Sequence, residues 1–94
     1  MRIMHMEDLY YQETYRGYRL NEGVLISDLS STELTRLDAC IDLIDQNKSL
    51  TWISENYEIP RSTLYDFIHK RLSALSVELS SCVKRHVKKF SRRV

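Results

Sequence analysis

The chain has 94 residues, 43% hydrophobic and 29% charged, which suits one domain with a modest core. Two glycines and one proline favour helices over a turn-rich β fold, and no apolar run approaches the roughly eighteen residues of a membrane span. The net charge of +1 conceals an asymmetry: residues 1–58 carry eleven acids and five bases, residues 59–94 nine bases and two acids. The halves are therefore at −6 and +7, and the basic half points to a polyanionic partner.

The first eleven residues lack the continuous apolar stretch and small-residue cleavage site of a signal peptide. Cys40 and Cys82 are far apart in sequence and share no metal-ligand spacing with His5, His69 or His86. A reduced, cytoplasmic, nucleoid-associated chain is expected, with both thiols acting as small core residues. Met6 to Tyr15 mixes acids and tyrosines without a clean period. Tyr18 to Ser27 fits two short strands around Asn21-Glu22-Gly23, an ordered arm on the core, or a dimerisation element. Residues 1–29 are accordingly set apart as an N-terminal arm.

From Ser30 the signals sharpen. Ser30-x-x-Glu33 is a capping box, in which a hydroxyl accepts from the free N–H groups of a helix while a glutamate reaches back. Leu34, Leu37, Ile41 and Ile44 then form one apolar helical face, and Asn47-Lys48-Ser49 breaks the pattern. Ser49 is a good N-cap for a short second helix through Leu50, Trp52, Ile53 and Asn56. Trp52 reads as a packing residue; Asp42 and Asp45 read as solvent-facing acids. Pro60 suits the first position of a third helix, which buries Leu64, Ile68, Leu72 and Leu75 and runs to about residue 72. Ser76 starts a fourth, whose inner face is Leu79, Cys82, Val83, His86 or Val87, and Phe90. The expected fold is all-α: a helix-turn-helix three-helical core in residues 30–94 with a basic C-terminal helix, preceded by the arm.

Leu50 to His69 carries the helix-turn-helix grammar. A short helix has small Ser54 where two helices cross, and Ile53, Tyr57 and Ile59 flank a tight turn. The second helix opens with small and basic residues. In this arrangement the first helix crosses the phosphate backbone and the second enters the major groove of double-stranded DNA. With Leu64, Ile68 and Leu72 inward, Arg61, Ser62, Tyr65, Asp66 and His69 share the outward face and are the candidate base contacts. Arg61 suits a guanine edge, and Asp66 suits cytosine N4 or the orientation of Arg61 or Lys70. Ser49, Thr51, Thr63, Lys70 and Arg71 are candidate backbone contacts.

The run from Asp45 to Leu72 resembles the stage III sporulation protein D family, small bacterial helix-turn-helix transcription factors. The likeness rests on Arg61-Ser62-Thr63 opening the reading helix, Arg71-Leu72 ending it, and a following helix with a basic tail, over roughly Leu34 to Arg93. It implies a sequence-specific transcription regulator with a role in sporulation. Two residues depart from the pattern: Glu58 stands in the turn where the family usually has glycine, and Ser54 where it has alanine. If the turn keeps a left-handed backbone, a non-glycine residue costs on the order of 1 kcal/mol; the alternative is a remodelled turn.

The last twelve residues hold six bases and no acid. Lys84, Lys88 and Arg92 fall four apart, with Arg85 and Lys89 on the next row. The resemblance implies that these residues and Arg93 contact phosphates or the minor groove, letting a monomer grip a short site. Monomer and homodimer both remain open. No phosphate loop, nucleophile motif, metal-ligand spacing or small-molecule signature is present, so no enzymatic activity, cofactor or metal is expected. Two other readings stand beside the regulator. One is a protein-interaction or dimerisation module using the acidic N-terminal half; the other is the DNA-binding part of a recombinase or transposase.

Overall fold

Among the described residues, the chain forms four helices and one small hairpin. A computed structural model describes residues 12–91 of the chain. The hairpin pairs β1 (Thr14–Tyr15) with β2 (Tyr18–Arg19), antiparallel, with Tyr15 opposite Tyr18. Its two-residue loop has positive φ at both Arg16 (+50°) and Gly17 (+93°). That is the mirror-image turn whose twist matches a hairpin, and Gly17 adopts it without a Cβ penalty. The strands therefore lie upstream of the Asn21-Glu22-Gly23 turn expected from sequence, and the chain is mostly helical rather than all-α. Of the uncharacterised segment Met6 to Tyr15, residues 6–11 lie outside the described residues.

A short 3-10 turn (Ile26–Asp28) leads into α1 (Ser31–Asp45). The capping box is formed: Ser30 Oγ accepts from the Glu33 N–H, and the Glu33 carboxylate accepts from the Ser30 N–H. α1 ends in a Schellman motif, with Lys48 N–H on Leu43 C=O, Asn47 N–H on Ile44 C=O, and Asn47 left-handed at φ +54°. α2 (Leu50–Tyr57) is capped by Ser49 Oγ, which accepts from the Trp52 N–H. It ends the same way, with Ile59 N–H on Ser54 C=O and Glu58 N–H on Glu55 C=O. Glu58 takes the left-handed position at φ +55°, ψ +42°. The turn is left-handed, and a non-glycine residue, Glu58, holds its strained position.

The third helix, α3, begins as Arg61–Asp66, widens into a π turn over Phe67–Arg71 and closes with Leu72–Leu75. The expected third helix forms, but with a π turn inside it and continuing to Leu75. A four-residue step overshoots a 3.6-residue turn, so Leu64, Ile68 and Leu72 would drift around an unbroken α-helix. A stretch of wider turn takes up that drift. Leu64, Ile68, Leu72 and Leu75 are all buried, as is Phe67. α4 (Val77–Ser91) follows after the single extended residue Ser76.

The core has two joined parts. One gathers Leu37, Cys40 and Ile41 of α1, Phe67, Ile68, Leu72 and Leu75 of α3, and Leu79 and Val83 of α4. The other, around Ala39, Leu43, Ile53 and Leu64, fixes α2 against α1 and α3; Ile44, Leu50 and Val87 touch both. Burial pushes the Cys40 thiol up to about 12, so it is held as an unreactive thiol. On α4, Leu79 and Val83 point inward as expected, whereas Phe90 is 44% exposed. Phe90 lies instead against the ring of His86, 4.7 Å between centroids.

The segment before α1 is stitched to the helices. Leu20 is buried, and Tyr15, Tyr18, Val24 and Leu29 pack on the larger cluster. Asn21 N–H donates to Leu75 C=O, and its side chain donates to Ser73 C=O and accepts from Val77 N–H. Ser76 Oγ donates to Arg19 C=O and accepts from Leu79 N–H, so α4 is capped jointly by Ser76 and Asn21. Among the described residues, no helix is long and apolar enough to cross a membrane.

Candidate nucleic-acid interface

The turn between α2 and α3 decides where the polar residues of α3 face. Because Leu64, Phe67 and Ile68 hold the inner side, Arg61, Ser62, Tyr65, Asp66 and His69 are all exposed on the other. Tyr65, at 52% exposure, stacks obliquely on His69 one turn later, with ring centroids 4.2 Å apart. Asp66 lies 3.8 Å from Lys70, an exposed i,i+4 pair that contributes little to stability. Thr63 is half-buried at the edge of the face.

Arg61 does not stand alone. Its guanidinium donates to Thr51 Oγ1 at 2.9 Å, tying the first turn of α3 to the first turn of α2. Ser49, in the same turn of α2, is committed as the N-cap. The Lys48 ammonium lies 4.7 Å from the centroid of the Trp52 ring, a cation–π contact, and half-buried Trp52 also packs on the cluster around Ile53. His86 of α4 donates from Nε2 to Lys48 C=O at 2.8 Å. The start of α2 therefore meets both the start of α3 and the distal half of α4.

On α4, Lys84, Arg85, Lys88 and Lys89 are exposed, and Arg85 lies 3.8 Å from Cys82 Sγ. Arg92 and Arg93 lie outside the described residues. Arg71, expected among the backbone contacts, is engaged within the fold: its Nε donates to Glu33 at 2.8 Å. The hydrogen bond from Arg71 holds the Glu33 carboxyl below its usual value. Glu33 thus serves both the capping box and an ion pair to α3. Glu33, Arg36, Thr63, Asp66, Lys70 and Arg71 line an open groove between α1 and α3.

Of the two acids expected to face solvent, Asp45 is exposed, whereas Asp42 is largely covered and paired. Asp42 accepts from Arg16 Nη2 at 2.6 Å and from the Tyr57 hydroxyl. Asp38 accepts from Tyr15 and Arg16, and Asp45, though exposed, accepts from Tyr18. Burial, and then the bond to Asp42, pushes the Tyr57 hydroxyl up to about 12. The sequence signal was present in retrospect: three acids at four- and three-residue steps face an arm rich in tyrosine and arginine. Pairing them required knowing that the arm folds back. Among the described residues, no group of three His, Cys, Asp or Glu side chains is placed to hold a metal ion.

Comparison with known proteins finds no matching family model, no matching curated protein and no matching solved structure.

Proposed function

We propose that α2, the Glu58 turn and α3 form a helix-turn-helix that reads double-stranded DNA, and that the chain is a sequence-specific transcription regulator. The observation that carries this reading is the exposed row Arg61, Ser62, Tyr65, Asp66 and His69, opposite a fully apolar inner face and hydrogen-bonded through Arg61 to the start of α2. A recognition helix needs that combination: outward polar groups on its first turns, set rigidly beside a helix whose N-terminus meets phosphate. The basic row on α4 supplies sequence-independent attraction. A role in sporulation rests only on the resemblance over roughly residues 34–93.

Internal pairing of Asp38, Asp42 and Asp45 speaks against the competing view that the acidic half is a docking face, because these carboxylates already have partners. The deciding experiment is selection of bound sites from random duplexes, with stoichiometry measured on the selected site. A short asymmetric site bound one to one indicates a monomer, and a palindrome bound two to one a dimer. Arg61→Ala should cost about 1–3 kcal/mol on the selected site and flatten base preference at one position. Neutralising Lys88 and Lys89 together should weaken selected and scrambled duplexes alike and reduce the salt slope by roughly 0.9 per lost contact. Wild-type protein that enriches no sequence, or an Arg61→Ala variant with unaltered preference, would count against the reading.

A further inference from the structure

A helix lying in the major groove has two flanks, and each borders a phosphate strand. With side chains a helix is about 10–12 Å across, and the groove is about 12 Å wide, so neither flank can stand clear of the backbone. In this chain one flank of α3 is defined by the Arg61–Thr51 bond, and it carries Ser49, Thr51 and Lys48 from the start of α2. The opposite flank is the groove between α3 and α1.

That groove contains three cations and two acids. Arg71 and Glu33 satisfy each other at 2.8 Å. Lys70 and Asp66 sit 3.8 Å apart with side chains 77% and 62% exposed, a contact that a phosphate displaces at little cost. Arg36 has no carboxylate within salt-bridge distance among the described residues, although its charge acts on Glu33 one turn away. It is half-buried on the α3-facing side of α1, one turn before Ala39 and Cys40, which are buried. Thr63 brings a hydroxyl to the same place.

We propose that Arg36, with Lys70 and the Thr63 hydroxyl, is the contact to the second phosphodiester strand, so that α1 is part of the DNA interface. This rests on the DNA-binding reading above. Arg36 is fixed by α1 rather than by the reading helix, so it senses the strand position and not the base sequence.

The test uses the full chain, the selected duplex and a scrambled duplex, with salt titrations of wild type, Arg36→Gln and Arg36→Lys. Arg36→Gln should lose about tenfold in affinity on both duplexes and about 0.9 in the salt slope, while Arg36→Lys keeps the slope. Neutral methylphosphonates, placed singly along both strands, should identify a phosphate whose neutralisation weakens wild type and leaves Arg36→Gln unaffected. An Arg36→Gln protein that binds both duplexes like wild type overturns the inference while leaving the helix-turn-helix reading intact. Wild type that binds neither duplex at low salt removes that reading and this one with it. Should circular dichroism show Arg36→Gln to be poorly folded, the methylphosphonate scan of wild type decides: losses on both strands bordering the groove are expected, and losses on one strand alone overturn the inference.

Discussion

Glu58 sits at φ +55°, where an L side chain brings Cβ against its own backbone at a cost of roughly 1–2 kcal/mol. Its side chain is exposed and no ion pair among the described residues offsets that cost. The backbone accepts the strain because Ile59 N–H and Glu58 N–H close the end of α2, and because Ser54 Oγ adds a bond to Ile59 C=O at 2.5 Å. Alanine at position 54 would lack that last bond, so Ser54 and Glu58 act on the same turn. Glu58→Gly should therefore raise stability by about 1 kcal/mol, part of the relieved strain being offset by glycine's greater freedom when unfolded. Urea denaturation should show the higher midpoint with an unchanged slope. A lower midpoint would mean that the glutamate makes a compensating contact.

Among the elements, α1, α2 and the start of α3 were legible because their signals are local. Ser30 and Glu33 lie within one turn, Ser49 precedes its own helix, and the buried residues of α3 repeat at helical steps. What could not be read was decided by partners distant in sequence. Arg71 looks like a free cation until Glu33, thirty-eight residues earlier, is found beside it. The strands at Thr14–Tyr15 and Tyr18–Arg19 are two residues each, too short for an alternation to register. The π turn after Asp66 answers a packing geometry that no single residue type announces. Asn21 shows the same dependence on distance, since it reaches more than fifty residues along the chain to cap α4. Asn21→Ala removes two side-chain hydrogen bonds at a helix start and should lower stability by about 1 kcal/mol, or about 4–8 °C in Tm for a domain of this size. Asn21→Asp keeps the acceptor for Val77 N–H and should lose less in a thermal melt. Equal losses in the two variants would show that the bond to Ser73, not the cap, is what matters.

At the scale of the molecule, Asp42 joins three parts of the chain: Arg16 from the hairpin and Tyr57 from the end of α2 meet on it. Burial alone would raise its carboxyl, but the bonds from Tyr57 and Arg16 outweigh burial and hold it below its ordinary 3.8. Glu33 is likewise held below 4.5, first by its bond from Arg71. A depressed folded value means stability that is complete above the unfolded value and lost as pH falls through the folded one. The acid limb should therefore begin near pH 4.5 and steepen below 3.8. Tyr18 and Tyr57 are shifted the other way, from 10.0 up to about 12, chiefly by burial. Their contribution is complete below pH 10 and is lost as pH rises towards 12. Cys40, raised by burial from 9.0 to about 12, starts the alkaline loss earlier, so stability should be flat between about pH 5 and 9 and fall on both sides. Tyr57→Phe links the two limbs, because one hydroxyl both lowers Asp42 and is itself raised. The variant should be about 1 kcal/mol less stable at neutral pH and should show shallower acid and alkaline limbs. Urea unfolding at stepped pH, followed by fluorescence of the single tryptophan, Trp52, measures both at once. If the acid limb of Tyr57→Phe matched that of wild type, the hydroxyl would not be what holds Asp42 ionised. Asp42 would then be held ionised by its bonds from Arg16 and Gln46 instead.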